Sequence, residues 1–134
     1  MNVIMNILFV CSGNTCRSPM AQALAAKLHP DWKVSSAGVT VLHEQPMTKE
    51  ARDAVRQYGA KLAGHRSRLL DKSLMDWADT VYALSGWHEE RLKTLFPEHT
   101  HKVRLLGEIP DPYGGGKEVY EACARQIFEA VGVL

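Results

Sequence analysis

The apolar run Ile4-Met5-Asn6-Ile7-Leu8-Phe9-Val10 leads directly into Cys11-Ser12-Gly13-Asn14-Thr15-Cys16-Arg17-Ser18-Pro19, and this junction constrains the fold more than any other stretch. The run is short and rich in β-formers, so it reads as a buried strand rather than a helix. Pro19 suits the first turn of a helix, and Met20, Ala23, Leu24, Lys27 and Leu28 recur at helical spacing, the Lys27 stem lying along the apolar stripe. Ser18 is the expected N-cap. The result is a strand, a tight loop and a helix, with Cys11 at the carboxyl end of the strand.

A loop between a strand end and a helix N-terminus offers unpaired backbone N–H groups, and the helix dipole adds positive potential there. Both favour a bound oxyanion and a thiolate. Free cysteine titrates near pH ~8.5, whereas beside an arginine and a helix N-terminus the thiolate persists well below neutral pH, which makes Cys11 the expected nucleophile. Arg17 offers a planar fork that binds two oxygens of a phosphate at once. Gly13 is expected to let the backbone turn toward the anion, and Asn14 tolerates left-handed geometry and can bond its own loop. A nucleotide-binding P-loop is excluded because no Gly-Lys-Ser/Thr follows, and Gly-x-Gly-x-x-Gly does not occur.

Strand-like and helical segments alternate along the rest of the chain, which predicts an α/β fold: a parallel sheet covered by helices on both faces. Lys33–Ala37, closed by Gly38, is the second strand candidate. Thr48 is placed to cap a helix whose Ala51, Ala54, Val55 and Tyr58 share one face before Gly59 ends it, leaving Glu50 and Arg52 to solvent. A short helix over Asp71–Trp77, a strand over Thr80–Leu84, a helix over Trp87–Phe96 stopped by Pro97, a fourth strand over Lys102–Leu106 and a last helix over Lys117–Val131 complete the pattern. Ligands bind outside the carboxyl ends of such strands, so Cys11, Ser85 and the segment after Leu106 should converge.

At 134 residues and 46% hydrophobic, the chain supports one domain over 1–134 with a real core. Sixteen basic against fifteen acidic residues give a formal net charge of +1, which argues against general binding to nucleic acid or an anionic membrane. Any anion specificity must be local. No stretch is long and apolar enough to span a bilayer, and the N-terminus lacks the pattern of a secretory signal. Three cysteines do not make a disulfide framework. A cytoplasmic, monomeric protein is expected.

The segment Gly107-Glu108-Ile109-Pro110-Asp111-Pro112-Tyr113-Gly114-Gly115-Gly116 is the second chemical feature. A proline on each side restricts the backbone around Asp111, which can then face the cysteine loop as a general acid or serve only as a turn residue. Tyr113 either walls a pocket or covers a core edge. His65, in Gly64-His65-Arg66-Ser67-Arg68, either supports the anion loop or belongs to a solvated basic loop. His29, His43, His88, His99 and His101 show no metal-ligand spacing with acidic or cysteine partners and read as surface residues, so no metal is expected.

Val10 through Pro19, together with Asp111-Pro112-Tyr113, closely resembles the low-molecular-weight protein phosphatases. Ser36-Ala37-Gly38, Ala78-Asp79-Thr80-Val81 and His65 also match features of that family, so the resemblance spans nearly the whole chain. It implies a four-stranded parallel sheet in a Rossmann-like fold and a reaction without cofactor. It further implies that Cys11 attacks phosphorus, that Arg17 and the loop amides stabilise the equatorial oxygens, and that Asp111 protonates the leaving group and then activates water. By the same resemblance Ser12, Gly13, Asn14, Thr15, Cys16, Ser18 and Tyr113 bind the substrate. Asn14, Ser18, Ser36 and His65 hold the loop's shape, and Ser18 bonds the Cys11 sulfur.

Tyrosine-directed members usually carry a bulky aliphatic residue before the second cysteine, whereas the Thr15-Cys16 pair is similar to the protein-arginine phosphatase branch. A hydroxyl suits a polar guanidinium, and Gly114 stands where tyrosine-directed relatives often place a second aromatic. Hydrolysis of phosphoarginine on proteins is therefore expected, with phosphotyrosine as the alternative. Arsenate reductases share the loop but need relay cysteines after the third strand, and Ser85–Arg91 contains none. A non-catalytic phosphoprotein-binding module or a phosphocarrier would not need Cys11, Arg17 and Asp111 together. Cys16 either packs the loop or forms a reversible disulfide with Cys11 that guards the nucleophile from over-oxidation. The last helix is expected to end near Gly132, without the longer tail of many relatives, which should alter core coverage or pocket depth.

Overall fold

The computed structural model describes residues 4–134; residues 1–3, part of the domain expected over 1–134, lie outside it. Four strands, β1 (Asn6–Cys11), β2 (Lys33–Gly38), β3 (Thr80–Ala83) and β4 (Val103–Leu105), form one sheet in the order β2-β1-β3-β4, every pair parallel. The helices are α1 (Arg17–Leu28), α2 (Lys49–Arg56), α3 (Lys72–Trp77), α4 (Gly86–Leu95) and α5 (Lys117–Gly132). The expected elements are all present, and α5 ends where the sequence placed its stop. A 3-10 helix over Pro97–Lys102 was not expected and takes Lys102 out of the fourth strand.

β1 explains why the sheet has two covered faces. Side chains alternate across a strand, so Ile7, Phe9 and Cys11 point into a core shared with α1, α2 and α5, while Leu8 and Val10 enter a second core with Met75 of α3 and Leu92 of α4. A strand buried on both sides must be apolar at every position, which is why the run carries no alternation. On the first face α5 packs against both α1 and α2, and the Tyr58 and Phe128 rings stack with centroids 4.4 Å apart.

Local chemistry accounts for the helix starts. Thr48 accepts from Ala51 N–H, Asp71 from Leu74 N–H and Ser85 from His88 N–H, each a side-chain cap. α1 departs from expectation. It begins at Arg17, with Cys16 at the N-cap and no side-chain capping bond, so Ser18 lies inside the first turn rather than capping it. The loop itself winds into the helix. Lys27 is exposed and does not share the buried stripe of Met20, Ala23 and Leu24.

β1 pairs with β2 on one side and β3 on the other, so the chain reverses its order of strand addition between β1 and β3. The carboxyl end of β1 therefore opens at a topological switch point, where parallel sheets leave a crevice. At this end β2 passes close to the cysteine loop: Val39 N–H bonds the Cys11 carbonyl at 3.0 Å and Thr40 N–H the Ser12 carbonyl at 3.0 Å. Only glycine permits that approach at position 38. A Cβ there would fall inside contact distance of the Ser12 carbonyl oxygen and 2.7 Å from Val41 Cγ2. Gly38→Ala should lower stability by about 1–3 kcal/mol, the usual range for forced overpacking, and displace the loop. Denaturant unfolding checks the first effect; unchanged stability would show that the Ser12 backbone yields freely.

Candidate active site

A cavity of about 250 Å³ opens at the switch point, lined by Cys11, Gly13–Arg17, residues 40–43, Gln45, Asp111 and Tyr113. It brings together residues far apart in sequence. Asp111 Oδ2 lies 3.7 Å from Arg17 Nη2, so the loop after β4 faces the cysteine loop across the crevice. Arg17 is buried and its Nη1 donates to the Ile109 carbonyl at 3.0 Å, which fixes the guanidinium and ties it to the Asp111 loop. Asp111 is about half exposed, and its Oδ1 accepts the Tyr113 N–H at 3.1 Å. Tyr113 stands at the rim, 74% exposed.

Cys11 is buried at the base of the cavity. The Asn14 amide donates to Ser18 Oγ at 2.7 Å, and that hydroxyl lies 2.9 Å from Cys11 Sγ, with the Ala37 carbonyl a longer alternative acceptor at 3.5 Å, so it can donate to a thiolate. The residue misplaced as a helix cap thus serves the thiol. Burial pushes the Cys11 thiol up, while the Ser18 side chain, the Ser18 N–H, the Arg17 charge and the Asn14 N–H all favour the thiolate. The expectation of a readily formed thiolate left out this desolvation, because the sequence shows the charges and the helix start but not the depth. Ser18→Ala removes a donor to the thiolate and should slow iodoacetamide alkylation of Cys11 at neutral pH, moving its pH midpoint upward. An unmoved midpoint would detach Ser18 from the thiol.

The left-handed residue of the loop is Asn14, at φ 57°, and not Gly13. Gly13 keeps the cavity wall low: an added Cβ would meet only Thr15 Oγ1, at 3.9 Å. Asn14 is fully buried, and its Nδ2 also donates to Ser36 Oγ at 3.0 Å while its Oδ1 accepts Arg68 N–H at 3.1 Å. Its carbonyl accepts from His65 Nε2 at 2.9 Å. Burial lowers the His65 pKa despite that bond, with Arg68 adding to the lowering, which favours the neutral ring donating from Nε2. Both expected loop supports, Ser36 and His65, therefore touch Asn14. Gln22, absent from the sequence reading, accepts from Ser36 Oγ at 2.7 Å.

Of the residues expected to bind substrate, Ser12 and Ser18 are not among those that line the cavity, and their side chains have other partners. Ser12 turns away to His88, whose Nε2 lies 2.9 Å from Ser12 Oγ and whose Nδ1 lies 2.6 Å from Ser85 Oγ. His88 was expected on the surface and is instead only 2% exposed; one ring nitrogen donates and the other accepts between two hydroxyls. His99 is likewise buried, its Nε2 2.6 Å from Asp76 Oδ1, and His29 is half-buried, stacked on Trp32. His88 is the third residue of α4 and lies one turn before the buried Leu92, on the same face of the helix.

Burial, helped by the Arg17 charge and opposed by Asp111, pushes the His88 pKa down to about 4 from 6.5. The unfolded chain therefore binds this proton first, and stability falls as pH drops from about 6.5 toward 4. His88→Asn should flatten that part of the wild-type stability profile, read from denaturant midpoints over the same pH range. An undiminished slope would assign it to other groups.

Cys11, Cys16 and Cys123 are free thiols. Cys16 Sγ packs against Tyr120 Oη at 3.3 Å and Thr48 Oγ1 at 3.7 Å. Cys123 lies on α5, buried, its thiol pushed up to about 12 chiefly by that burial. Sequence reasoning did not select the segment after β2, yet Thr40, Val41, Leu42, His43 and Gln45 form a wall of the cavity, Leu42 being 91% exposed. Among the described residues no group of three or more His, Cys, Asp and Glu side chains is placed to hold a metal, and no helix is long and apolar enough to cross a membrane.

A family model described as low molecular weight phosphotyrosine protein phosphatase matches residues 6–134. A protein-arginine-phosphatase of Geobacillus stearothermophilus is 40% identical over 130 residues, covering 90% of this chain and 87% of the relative. The low molecular weight protein-tyrosine-phosphatase Wzb of Escherichia coli K12 is 37% identical over 123 residues, covering 87% and 84%. The solved YwlE arginine phosphatase from Geobacillus stearothermophilus aligns with a TM-score of 0.89 at 38% identity, covering 95% of this chain and 88% of that one. Fold, loop and relatives together define a cysteine-dependent phosphatase. The chain belongs to the low molecular weight phosphotyrosine protein phosphatase family.

Proposed function

We propose that this protein phosphatase hydrolyses phosphoarginine on proteins through a phosphocysteine at Cys11. The observation that carries the choice of leaving group is the Thr15 side of the cavity. The hydroxyl-bearing side chain of Thr15 lines the same cavity as Cys11, and Thr40, His43 and Gln45 add polar groups to the wall. A guanidinium leaving group can use these groups, whereas a phenyl ring gains nothing from them and is left with Val41 and Leu42 on that wall, with no branched aliphatic side chain at position 15. The Geobacillus stearothermophilus protein-arginine-phosphatase among the relatives supports the same choice.

In this reaction Cys11 Sγ attacks phosphorus and the P–N bond breaks, the phosphoryl oxygens being held by Arg17 and the loop amides. Asp111 delivers a proton to the departing guanidine nitrogen, so that the leaving group departs as a neutral or cationic species rather than as an anion. Asp111 then takes a proton from water, which attacks the phosphocysteine, breaks the S–P bond and releases phosphate and the Cys11 thiolate. Asn14, Ser18, Ser36 and His65 hold the loop in the shape that aims its N–H groups. Tyr113 at the rim stacks against the planar guanidinium or, in the second reading, against phosphotyrosine, which the Wzb relative makes a real competitor.

Measured on matched peptides, kcat/KM for phosphoarginine should exceed that for phosphotyrosine, and Thr15→Ile should shift the ratio toward phosphotyrosine by about 10-fold, the scale of one or two methylenes in a specificity pocket. A wild-type preference for phosphotyrosine would overturn the choice of substrate. A ratio unmoved by Thr15→Ile would remove Thr15 from it.

A further inference from the structure

A second concavity, of about 390 Å³, lies next to the first and takes no part in the reaction described above. Pro46 and Met47 form one wall, Leu62 to Arg66 another, and Arg52, Val55 and Arg56 of α2 a third, with Lys61 at the edge. The two cavities are neighbours along the chain, because Gln45 lines the first and Pro46 the second. Their common wall is built firmly. Pro46 and Arg66 form an antiparallel bridge, and Ser67 N–H bonds the Gln45 carbonyl at 2.8 Å. Thr48, the residue after Met47, bonds the Thr15 carbonyl through its N–H at 3.1 Å, and His65 of the second wall bonds that of Asn14, so the groove is tied to the catalytic loop at two points.

Its chemistry is lopsided. Arg52, Arg56, Lys61 and Arg66 surround a floor of Met47, Val55 and Leu62, and no carboxylate lines it. Arg56 is partly answered by Asp53 at 3.3 Å, and Arg66 by Glu44 at 3.8 Å. Arg52 and Lys61 make no ion pair among the described residues. In a chain with a formal net charge of only +1, this is a local concentration of positive charge rather than a general one.

Building on the protein phosphatase reading, we infer that the groove receives an acidic segment of the protein substrate flanking the phosphorylated residue. With that residue over Cys11, the flank crosses Gln45 and Pro46 and enters the groove. Carboxylates there meet Arg52, Lys61 and Arg66, and an apolar side chain covers Met47, Val55 and Leu62. The occupant is a polypeptide because the groove continues the catalytic cavity along one wall, and it is acidic because the rim offers cations and no carboxylate. Charges at such a rim act mainly on capture, so the preference belongs in KM and weakens as salt screens it.

The test compares phosphopeptides of one core sequence with acidic, neutral or basic flanks, using a small aryl phosphate as a reference that cannot reach the groove. With two or more exposed ion pairs formed, KM for the acidic peptide should be about five-fold below that for the neutral one at low salt, with kcat little changed and the gap closing in high salt. The double variant Arg52→Glu/Lys61→Glu should keep wild-type kinetics on the aryl phosphate and reverse the preference toward basic flanks. Equal KM for acidic and neutral peptides, or a preference that survives the double variant, overturns the inference. Binding of the same phosphopeptides to Cys11→Ser, followed by fluorescence anisotropy, keeps the groove separate from the chemistry. A wild type that hydrolyses neither the peptides nor the aryl phosphate defeats the phosphatase reading, while the Kd contrast still decides the groove.

Discussion

The buried Asn14 side chain organises the site. Its amide makes three hydrogen bonds, to Ser18, Ser36 and the backbone of Arg68, while its carbonyl is held by His65. These partners come from α1, β2 and the segment after Gly64, so one residue in a left-handed conformation ties the loop to three separate parts of the chain. A left-handed asparagine without such partners would cost of order 1–3 kcal/mol, and it persists here because the surroundings over-determine it. The proton geometry at Cys11 depends on the same bonds, since Asn14 donates to Ser18, whose hydroxyl can donate to the thiolate.

Around that centre two opposing effects act on the Cys11 thiol. Depth disfavours the thiolate; the nearby donors and the Arg17 charge favour it. The same depth gives the donors their strength, because hydrogen bonds and charges act through a low local dielectric. His88 lies just outside this balance. It joins Ser12 of the loop to Ser85 at the start of α4, so the cysteine loop is braced on both sides, by Ser36 of β2 and by the turn from β3 into α4 through Ser85 and His88.

Much of this was legible in the chain because it depends on local rules. The apolar stretch from Ile7 to Cys11 reads as a strand covered on both faces, Thr48 precedes a helical stripe, and the residue types from Cys11 to Arg17 fit an oxyanion. What stayed hidden depends on tertiary depth. Ser18 looks like a cap because Ser-Pro usually starts a helix, but the loop enters the helix from Arg17 and the hydroxyl is drawn to sulfur and Asn14. His88 and His99 look like surface residues because histidine is polar, yet serine hydroxyls and an aspartate satisfy them inside. The Thr40–Gln45 wall has no motif at all; only the close pass of β2 over Ser12, allowed by Gly38, brings it to the cavity. The pairing of Arg17 with the Asp111 loop spans more than ninety positions, and only the parallel topology sets it.

The central claim is that Cys11 carries the phosphoryl group between the leaving group and water. Rapid acid quenching of the enzyme with a phosphorylated peptide, followed by mass spectrometry of the proteolysed chain, tests it directly. A phosphoryl adduct should appear on the peptide containing Cys11, reach its level before steady-state phosphate release, and decay when substrate is exhausted. Phosphate release in step with turnover and no adduct at Cys11, or an adduct on another residue, would contradict the account.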